Sequence, residues 1–542
     1  MKRILGLLSA LAALCSTGCI TNDIPYPVVE LAITAISGDG FTVKEINTTQ
    51  RTVTLTLDEV TDIRNVHIAE VAYTEGAKAS WDLTAENHDL RIPIHVTLSL
   101  YQEYEWTIVA EQQINRSFTV AGQIGASVID AENHTATAYV AKDADRSQIT
   151  VTALRLEPDV LVEGANTTSY SPTLEQLSGS SFETVRFVDV TCHGRTERWL
   201  LYVLPTDKSV ALEAADAWSR VIWLYGSGVE GQTMGFKYRP AGGEWQEVPD
   251  VKTDGGSFTA RLAAEPKSTY EVIAYCGEEQ TDPVSVTTDP EQALENGGFE
   301  NWCTVDGIIY PYAEGGPPYW STGNKGSKIA NATLTDKSDP RPGSSGKYSA
   351  DLKSQFANLF GIGKFAAGNL FTGEYVMNAG TNGIITFGRP FTLRPTKLRI
   401  WVRYNRGVID RVKDAPSGTE IKVGDNDNGH IYIALGTWSA TEYGKDSQGN
   451  QVGTAESPIC IDTRDVSTFF RADGKDVVGY GEHLFEESVG EWTEITIPIE
   501  YRTTSIRPTH LLIVCSASRW GDYFTGSTKS EMWVDDFELL YD

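Results

Sequence analysis

Thr52-Val-Thr-Leu-Thr-Leu57 alternates a hydroxyl-bearing β-branched residue with an aliphatic one for three full periods. Successive side chains of an extended strand point to opposite faces. Val53, Leu55 and Leu57 therefore belong to a buried face, and Thr52, Thr54 and Thr56 to a wetted one. The same alternation returns near the other end of the chain in Ile495-Thr-Ile-Pro-Ile499. Gly, Asn and Asp turns recur between such segments, and long helical periodicity is nearly absent. The fold class is all-β: tandem immunoglobulin-like β-sandwiches followed by a C-terminal jelly-roll β-sandwich.

The 542 residues are enough for three or four domains. A weak internal repeat sets the first boundaries. Phe41-Thr-Val-Lys-Glu-Ile-Asn47 precedes the strand around Val53, and Ser127-Val-Ile-Asp-Ala-Glu-Asn133 precedes the strand from Ala136 to Val140. Each copy later carries a Trp strand, Glu105-Trp-Thr-Ile-Val109 and Arg198-Trp-Leu-Leu-Tyr-Val203. Repetition at domain length points to two tandem sandwiches, 24–120 and 121–207, since solenoid repeats are shorter. A third domain, 208–288, contains Gly235-Phe-Lys-Tyr-Arg-Pro240, Glu244-Trp-Gln-Glu-Val248 and Pro266-Lys-Ser-Thr-Tyr-Glu-Val272. These stretches resemble a fibronectin type III or related immunoglobulin-like module. Pro266, Thr269 and Tyr270 match its tyrosine corner, in which the hydroxyl bonds back to nearby backbone.

At the N-terminus, Lys2 and Arg3 precede an apolar run from Ile4 to Leu14, and Ser16-Thr-Gly lead to Cys19. The run is half the length a bilayer helix needs, so 1–18 reads as a signal peptide. The segment resembles lipoprotein signal peptides, which implies a lipid on Cys19, although Ser16 stands where that family usually has Leu. Asp23 resembles the acidic residue after the Cys in Bacteroidetes lipoproteins exported to the surface. The expected location is the outer membrane, at its surface or periplasmic face, with the lipid as the only membrane contact. The formal charge of −28 becomes −30 without Lys2 and Arg3. An acidic chain repels phosphate backbones, so nucleic acid is not an expected partner. Cys192, Cys276, Cys303, Cys460 and Cys515 are odd in number, far apart and without a CxxC pair, which excludes a disulfide framework or a zinc ribbon.

Composition changes after Pro290: residues 290–542 hold 30 of the 49 glycines, and their loops are long and aromatic. Four stretches here, Asn296-Gly-Gly-Phe-Glu-Asn-Trp302, Lys364-Phe-Ala-Ala-Gly-Asn-Leu-Phe-Thr-Gly373, Arg389-Pro-Phe-Thr-Leu-Arg-Pro395 and Gly521-Asp-Tyr-Phe-Thr-Gly-Ser527, resemble the Bacteroidetes lipoprotein family called the putative carbohydrate metabolism domain. The resemblance runs on to Val534-Asp-Asp-Phe-Glu-Leu539. It implies a jelly roll similar to carbohydrate-binding modules and a sugar context, without an established reaction. The opening Gly-Gly-Phe-Glu and closing Val-Asp-Asp also look like jelly-roll modules that hold a structural calcium between their first and last strands. By that likeness Glu300, Asp535 and Asp536 are candidate ligands, since calcium takes six to eight hard oxygens; the alternative is three solvated strand-end carboxylates.

Pyranose rings present an apolar face that aromatic side chains cover well. Loop aromatics are therefore the candidate sugar contacts: Trp320 first, then Tyr319, Trp438 and Trp520, with Asn369 and Asp522 from two family-matching turns as polar partners; for each ring taken singly the favoured alternative is packing over the edge of the sandwich, because large aromatics are mostly buried. Trp401 and Trp533 sit in alternating strands and read as core. Gly424-Asp-Asn-Asp-Asn-Gly429 lacks the twelve-residue spacing of an EF-hand and reads as a hairpin turn. His430 and His483 read as surface or core-edge residues. No HExxH, GxSxG or P-loop pattern occurs in a credible context. Asp410, Asp414, Asp425, Asp427, Glu482 and Asp522 form no recognisable pair at strand spacing, so no catalytic residue is assigned. The leading expectation is a non-catalytic glycan-binding lipoprotein on a β-domain stalk, working with outer-membrane glycan-uptake proteins. The alternatives are a glycoside hydrolase or lyase using paired carboxylates, and an adhesion or structural surface protein.

Overall fold

The computed structural model describes residues 29–162, 164–359 and 362–542. The expected signal peptide, Cys19 and Asp23 lie outside the described residues. β-Strands dominate, and the α-helices described are single turns of four residues. The chain divides into two compact units: one ends at Leu204, and the other runs from Pro205 to Asp542 and takes in the short segments 122–126 and 139–144.

In the first unit Thr52–Leu57 forms a strand with Val53 and Leu55 wholly buried, as its alternation requires. It pairs antiparallel with Phe41–Asn47 and parallel with Glu103–Gln112, so this sheet is mixed. Each copy of the weak repeat buries its Trp completely, Trp106 and Trp199. Strand Ser117–Val120 pairs with Val151–Arg155, so the sheets change hands between Gln112 and Ser117, a few residues before position 120.

In the second unit, two sheets built on Val221–Gly228 and Thr269–Cys276 make the third domain. The Tyr270 hydroxyl accepts a hydrogen bond from the Glu265 N–H at 2.8 Å, closing the corner. This domain is clamped to the jelly roll. Trp218 is 2% exposed, packs at a tilt against the Tyr501 ring with centroids 4.5 Å apart and donates its Nε1–H to the Thr504 carbonyl at 3.0 Å. Arg394, itself buried, donates to the carbonyls of Ala217 and Thr504, both at 2.7 Å.

The jelly roll packs two sheets face to face. One is built around the strands Asn382–Phe387, Asn369–Ala379, His510–Ser516, Gly429–Gly436 and Val477–Phe485, in that order. The other orders Thr335–Ser338, Ser349–Lys353, Glu531–Leu540, Lys397–Asn405 and Val489–Pro498. Leu370, Ile431, Ile433, Ile513 and Cys515 from the first sheet meet Leu352, Ile400, Val402 and Val534 from the second in one core. Trp401 and Trp533 belong to the other face of the second sheet. They are half-buried beneath the guanidinium groups of Arg341 and Arg403, at 4.3 and 3.9 Å, and are not core. Alternation fixes that Trp401 and Val402 face opposite ways; it does not say which way is in.

Candidate functional site

The face of the first sheet that turns away from the core is only partly covered. Register places its side chains in rows. Asn369, Ser516 and His430 align across three strands, and Phe371, Val514, Tyr432 and Glu482 across four. One end of this face is closed by an apolar cluster of Trp438, Phe387, Ile459, Phe469 and Phe470. The remainder is a recess of about 420 Å³, lined by Tyr375, Asn378, Asn382, His430, Tyr432, Arg519, Asp522 and Phe524 among others. Its walls come from two of the family-matching stretches, 364–373 and 521–527, and from the strand Gly429–Gly436.

The turn that carries Asp522 is anchored from below. Asp427 is buried, and its Oδ2 accepts from Ser518 Oγ (2.6 Å), Ser527 N–H (2.8 Å) and Ser530 Oγ (2.8 Å). Within the turn at Gly424–Gly429, buried Asp427 is therefore the tie for the 518–530 loop, while Gly424, Asp425 and Asn426 stay exposed. Phe524 takes a left-handed backbone, φ 54°, which swings the chain out of the short 3-10 turn Gly521–Tyr523.

Asp522 makes no hydrogen bond to described residues. It is reachable by water, yet the walls of the recess hem it in, and this partial loss of hydration pushes its carboxyl up to about 6. Its charge in turn helps hold the neighbouring Tyr432 hydroxyl in its protonated form, after burial, which is the larger cause. Glu482 is shifted the opposite way. The hydrogen bond from His430 Nε2 (2.8 Å), with a second from the Tyr480 hydroxyl (3.0 Å), holds it down at about 2. Tyr432 stacks on Phe470 with ring centroids 5.5 Å apart and planes 9° from parallel, which fixes the ring orientation.

The aromatic platform expected from the loops is not there. Trp320 is wholly buried: its Nε1–H is bonded to the Glu295 carbonyl at 2.8 Å, and its ring lies edge-on to Phe299 and Phe537. Its Gly-Pro loop does not present the ring to solvent but plugs it into the sandwich. Tyr319 packs against the same core, and Trp438 is 4% exposed within the apolar cluster. Trp520 is half-buried between Arg519 and Tyr523 and is not among the residues lining the recess. Asn369 and Asp522 do line it. The residues that sequence reasoning passed over are His430, Tyr432, Tyr375, Lys364 and Arg519. The alternation in Gly429-His-Ile-Tyr-Ile433 is the signal that could have found the first two, because it sets both rings opposite the buried isoleucines.

The carboxylates proposed for calcium are spent on N–H donors. Glu300 accepts from the Lys347 and Tyr348 amides at 2.7 and 3.3 Å. Asp536 is held by the Arg341 guanidinium at 2.6 Å, and buried Asp535 accepts from the Arg341 and Asp536 amides. The first and last segments do meet, through Phe537 N–H to the Gly297 carbonyl at 2.8 Å. As arranged, this donor set does not fit a calcium ion, and among the described residues no group of three or more His, Cys, Asp or Glu side chains is placed to hold a metal.

Residues 298–540 match the family described as putative carbohydrate metabolism domain. Among solved structures, the chain is similar to a putative glycoside hydrolase from Bacteroides thetaiotaomicron, with 15% identity over 79% of this chain and 96% of that one and a TM-score of 0.30. A putative glycoside hydrolase from Bacteroides vulgatus gives 21% identity over 45% of this chain and 97% of that one, with a TM-score of 0.33. SGBP-B from a complex xyloglucan utilization locus in Bacteroides uniformis gives 10% identity over 83% and 95%, with a TM-score of 0.16. Among curated proteins none matches.

Proposed function

Because residues 298–540 are a putative carbohydrate metabolism domain, we propose that this chain is an outer-membrane lipoprotein that binds glycans in the recess on the open face of its jelly roll. The observation that carries the reading is the recess itself. It pairs aromatic surface, Tyr375, Tyr432 and Phe524, with polar side chains set on regular strands. That is the composition a sugar needs, a flat apolar wall for C–H groups and fixed partners for hydroxyls. The lipid on Cys19 would hold the protein at the membrane, the first two sandwiches would serve as a stalk, and glycan-uptake proteins of the same membrane would be its partners. A glycan array probed at about 15 °C with the soluble chain from residue 29 tests the site: Tyr432→Ala should abolish binding while circular dichroism shows the chain still folded, its melting temperature falling by several degrees because the ring packs on Phe470. Binding that survives this change places the site elsewhere. Cell fractionation of Cys19→Ala tests the anchor, and unchanged membrane association would refute it.

A second reading, glycoside hydrolysis, is favoured by one observation. Asp522 and Glu482 serve the same face and are driven in opposite directions, one up to about 6 and the other down to about 2, as an acid and a carboxylate in one site would be. Release of reducing ends from a bound glycan, lost in both Asp522→Asn and Glu482→Gln, would establish it. Binding without release would leave the first reading standing alone.

A further inference from the structure

The hydrogen-bonding capacity that the protein leaves unused in the recess is unevenly divided. Its amide oxygens are taken. Asn369 Oδ1 accepts from the Gly323 N–H at 2.7 Å. Asn378 Oδ1 accepts from the Tyr375 hydroxyl at 2.7 Å. Asn382 Oδ1 accepts from Lys364 Nζ at 2.8 Å and from the Thr463 hydroxyl at 3.4 Å. These partners are backbone amide, ammonium or hydroxyl donors, and Asn378 Nδ2 meets the Gly326 carbonyl at 3.3 Å, so the orientation of each amide is dictated by what it faces.

The donors are left over. The amide nitrogens of Asn369 and Asn382 make no bond to described residues. Lys364 keeps two of its three protons and has no carboxylate within ion-pair distance among the described residues. Arg519 has neither a side-chain hydrogen bond nor an ion pair there; its guanidinium only rests on the Trp520 ring at 4.6 Å. This is unusual for a chain whose acidic residues outnumber its basic ones by 73 to 45. The recess therefore offers spare N–H donors and two cations outside any ion pair, against one free carboxylate, Asp522.

We propose that the recess selects an anionic sugar, with its carboxylate or sulfate ester seated against Arg519 and Lys364. This rests on the glycan-binding reading and narrows it. The guanidinium fork offers parallel N–H bonds that match either oxyanion, and the ammonium adds a point charge. Phe524, whose ring lies 3.8 Å from the Lys364 ammonium, shields that cation from bulk water. Asp522 is the one free carboxylate in the lining and opposes the anion while ionised. With its proton on, it donates a bond to the ligand instead. The charged and titratable groups around it are Tyr432 on the sheet, Tyr523 in its own turn, Arg519, Lys364, and the His430–Glu482 pair. Asp522, whose carboxyl is raised to about 6, changes charge between pH 5 and 8, and its protonation favours an anion. Binding should therefore take up protons.

The test uses the soluble chain from residue 29 in titration calorimetry against four probes: trigalacturonate, its methyl ester, chondroitin sulfate hexasaccharide and the desulfated hexasaccharide. The inference expects either the uronate or the sulfate to bind about tenfold or more tighter than its neutral or less charged counterpart. Whichever pair shows the gap identifies the oxyanion. Arg519→Gln and Lys364→Gln should each close most of the gap with unchanged melting temperature. Affinity for the acidic probe should rise several-fold from about pH 7.5 to pH 5.5, with a flatter profile in Asp522→Asn. Equal affinity within each pair, or a gap untouched by Arg519→Gln, overturns the inference while leaving glycan binding intact. Failure of all four probes, together with an array showing no neutral glycan bound, overturns both.

Discussion

Trp320→Ala separates a binding ring from a structural one. The side chain is fully buried, donates to the Glu295 carbonyl and makes edge-on contacts to Phe299 and Phe537 at 5.4 and 5.8 Å. Truncating a buried Trp costs about 3–5 kcal/mol through lost transfer energy and the cavity left behind. An orphaned Glu295 carbonyl adds about 1 kcal/mol. For the matched domain, residues 298–540, the unfolding entropy is about 0.5 kcal/mol/K, so a loss of ~5 kcal/mol lowers the melting temperature by roughly 10 °C. The assay is paired: differential scanning calorimetry of the chain from residue 29, and glycan binding measured at about 15 °C, where the variant remains folded. We expect a large fall in melting temperature with affinity changed less than threefold, because the ring does not line the recess. An unchanged melting temperature with binding lost would refute the reasoning and return Trp320 to the role of sugar platform.

Asp427→Ala should destabilise the domain by about 3 kcal/mol or more, because Ser518, Ser527 and Ser530 lose a common acceptor inside the protein; urea titration measures it, and a change below about 1 kcal/mol would mean the loop is held some other way. Buried Asp535 and Asp522, hemmed in by the recess walls, both have carboxyls raised to about 6, against about 3.9 in an unfolded chain. Their contribution to stability is complete below about pH 4 and disappears as pH rises through 6, whereas that of Glu482 is lost as pH falls from about 4.5 toward 2. The melting temperature of the unliganded protein should therefore rise on going from about pH 7.5 to 5.5, and a double Asp522→Asn, Asp535→Asn variant should show a smaller rise; an identical profile would remove these two groups from the account. Millimolar calcium should leave the melting temperature equal to that in chelator, since Arg341 and backbone amides already satisfy Glu300, Asp535 and Asp536; a rise of several degrees would show that the ion displaces the arginine.

Period-two alternation carried the all-β class and picked out the right faces where the pattern was strict, as in Val53, Leu55 and Leu57. It failed at Trp401 and Trp533 because both faces of their sheet offer something to a Trp: a core on one side, an arginine to lie under on the other. The site was legible only in its loop residues. Asn369 and Asp522 came from turns in family-matching stretches, but Trp320 was misplaced. A Gly-Pro-rich loop ending in an aromatic looks the same in sequence whether the ring points out or plugs the sandwich, and burial of a large ring is the more favourable outcome. His430, Tyr432 and Glu482 lie within or beside one row of a sheet, and that row exists only through the pairing of Tyr432 with Glu482, 50 positions further along the chain. Arg519 could not be singled out either: its significance is the partner it lacks, and that is a property of three-dimensional surroundings.

The clasp of Trp218 and Arg394 also bears on how such a domain is inherited. A module whose surface is complete can be copied and moved between genes on its own. Here the sequence boundary near residue 289 cuts across a shared apolar seam: Trp218 on one side rests on Tyr501 on the other, and Arg394 reaches back to Ala217. Excising the jelly roll at that boundary would expose Tyr501 and strip Arg394 of an acceptor. The smallest transferable piece of this protein is therefore the pair of domains, and the two should travel, and be cut by proteases, as a single block.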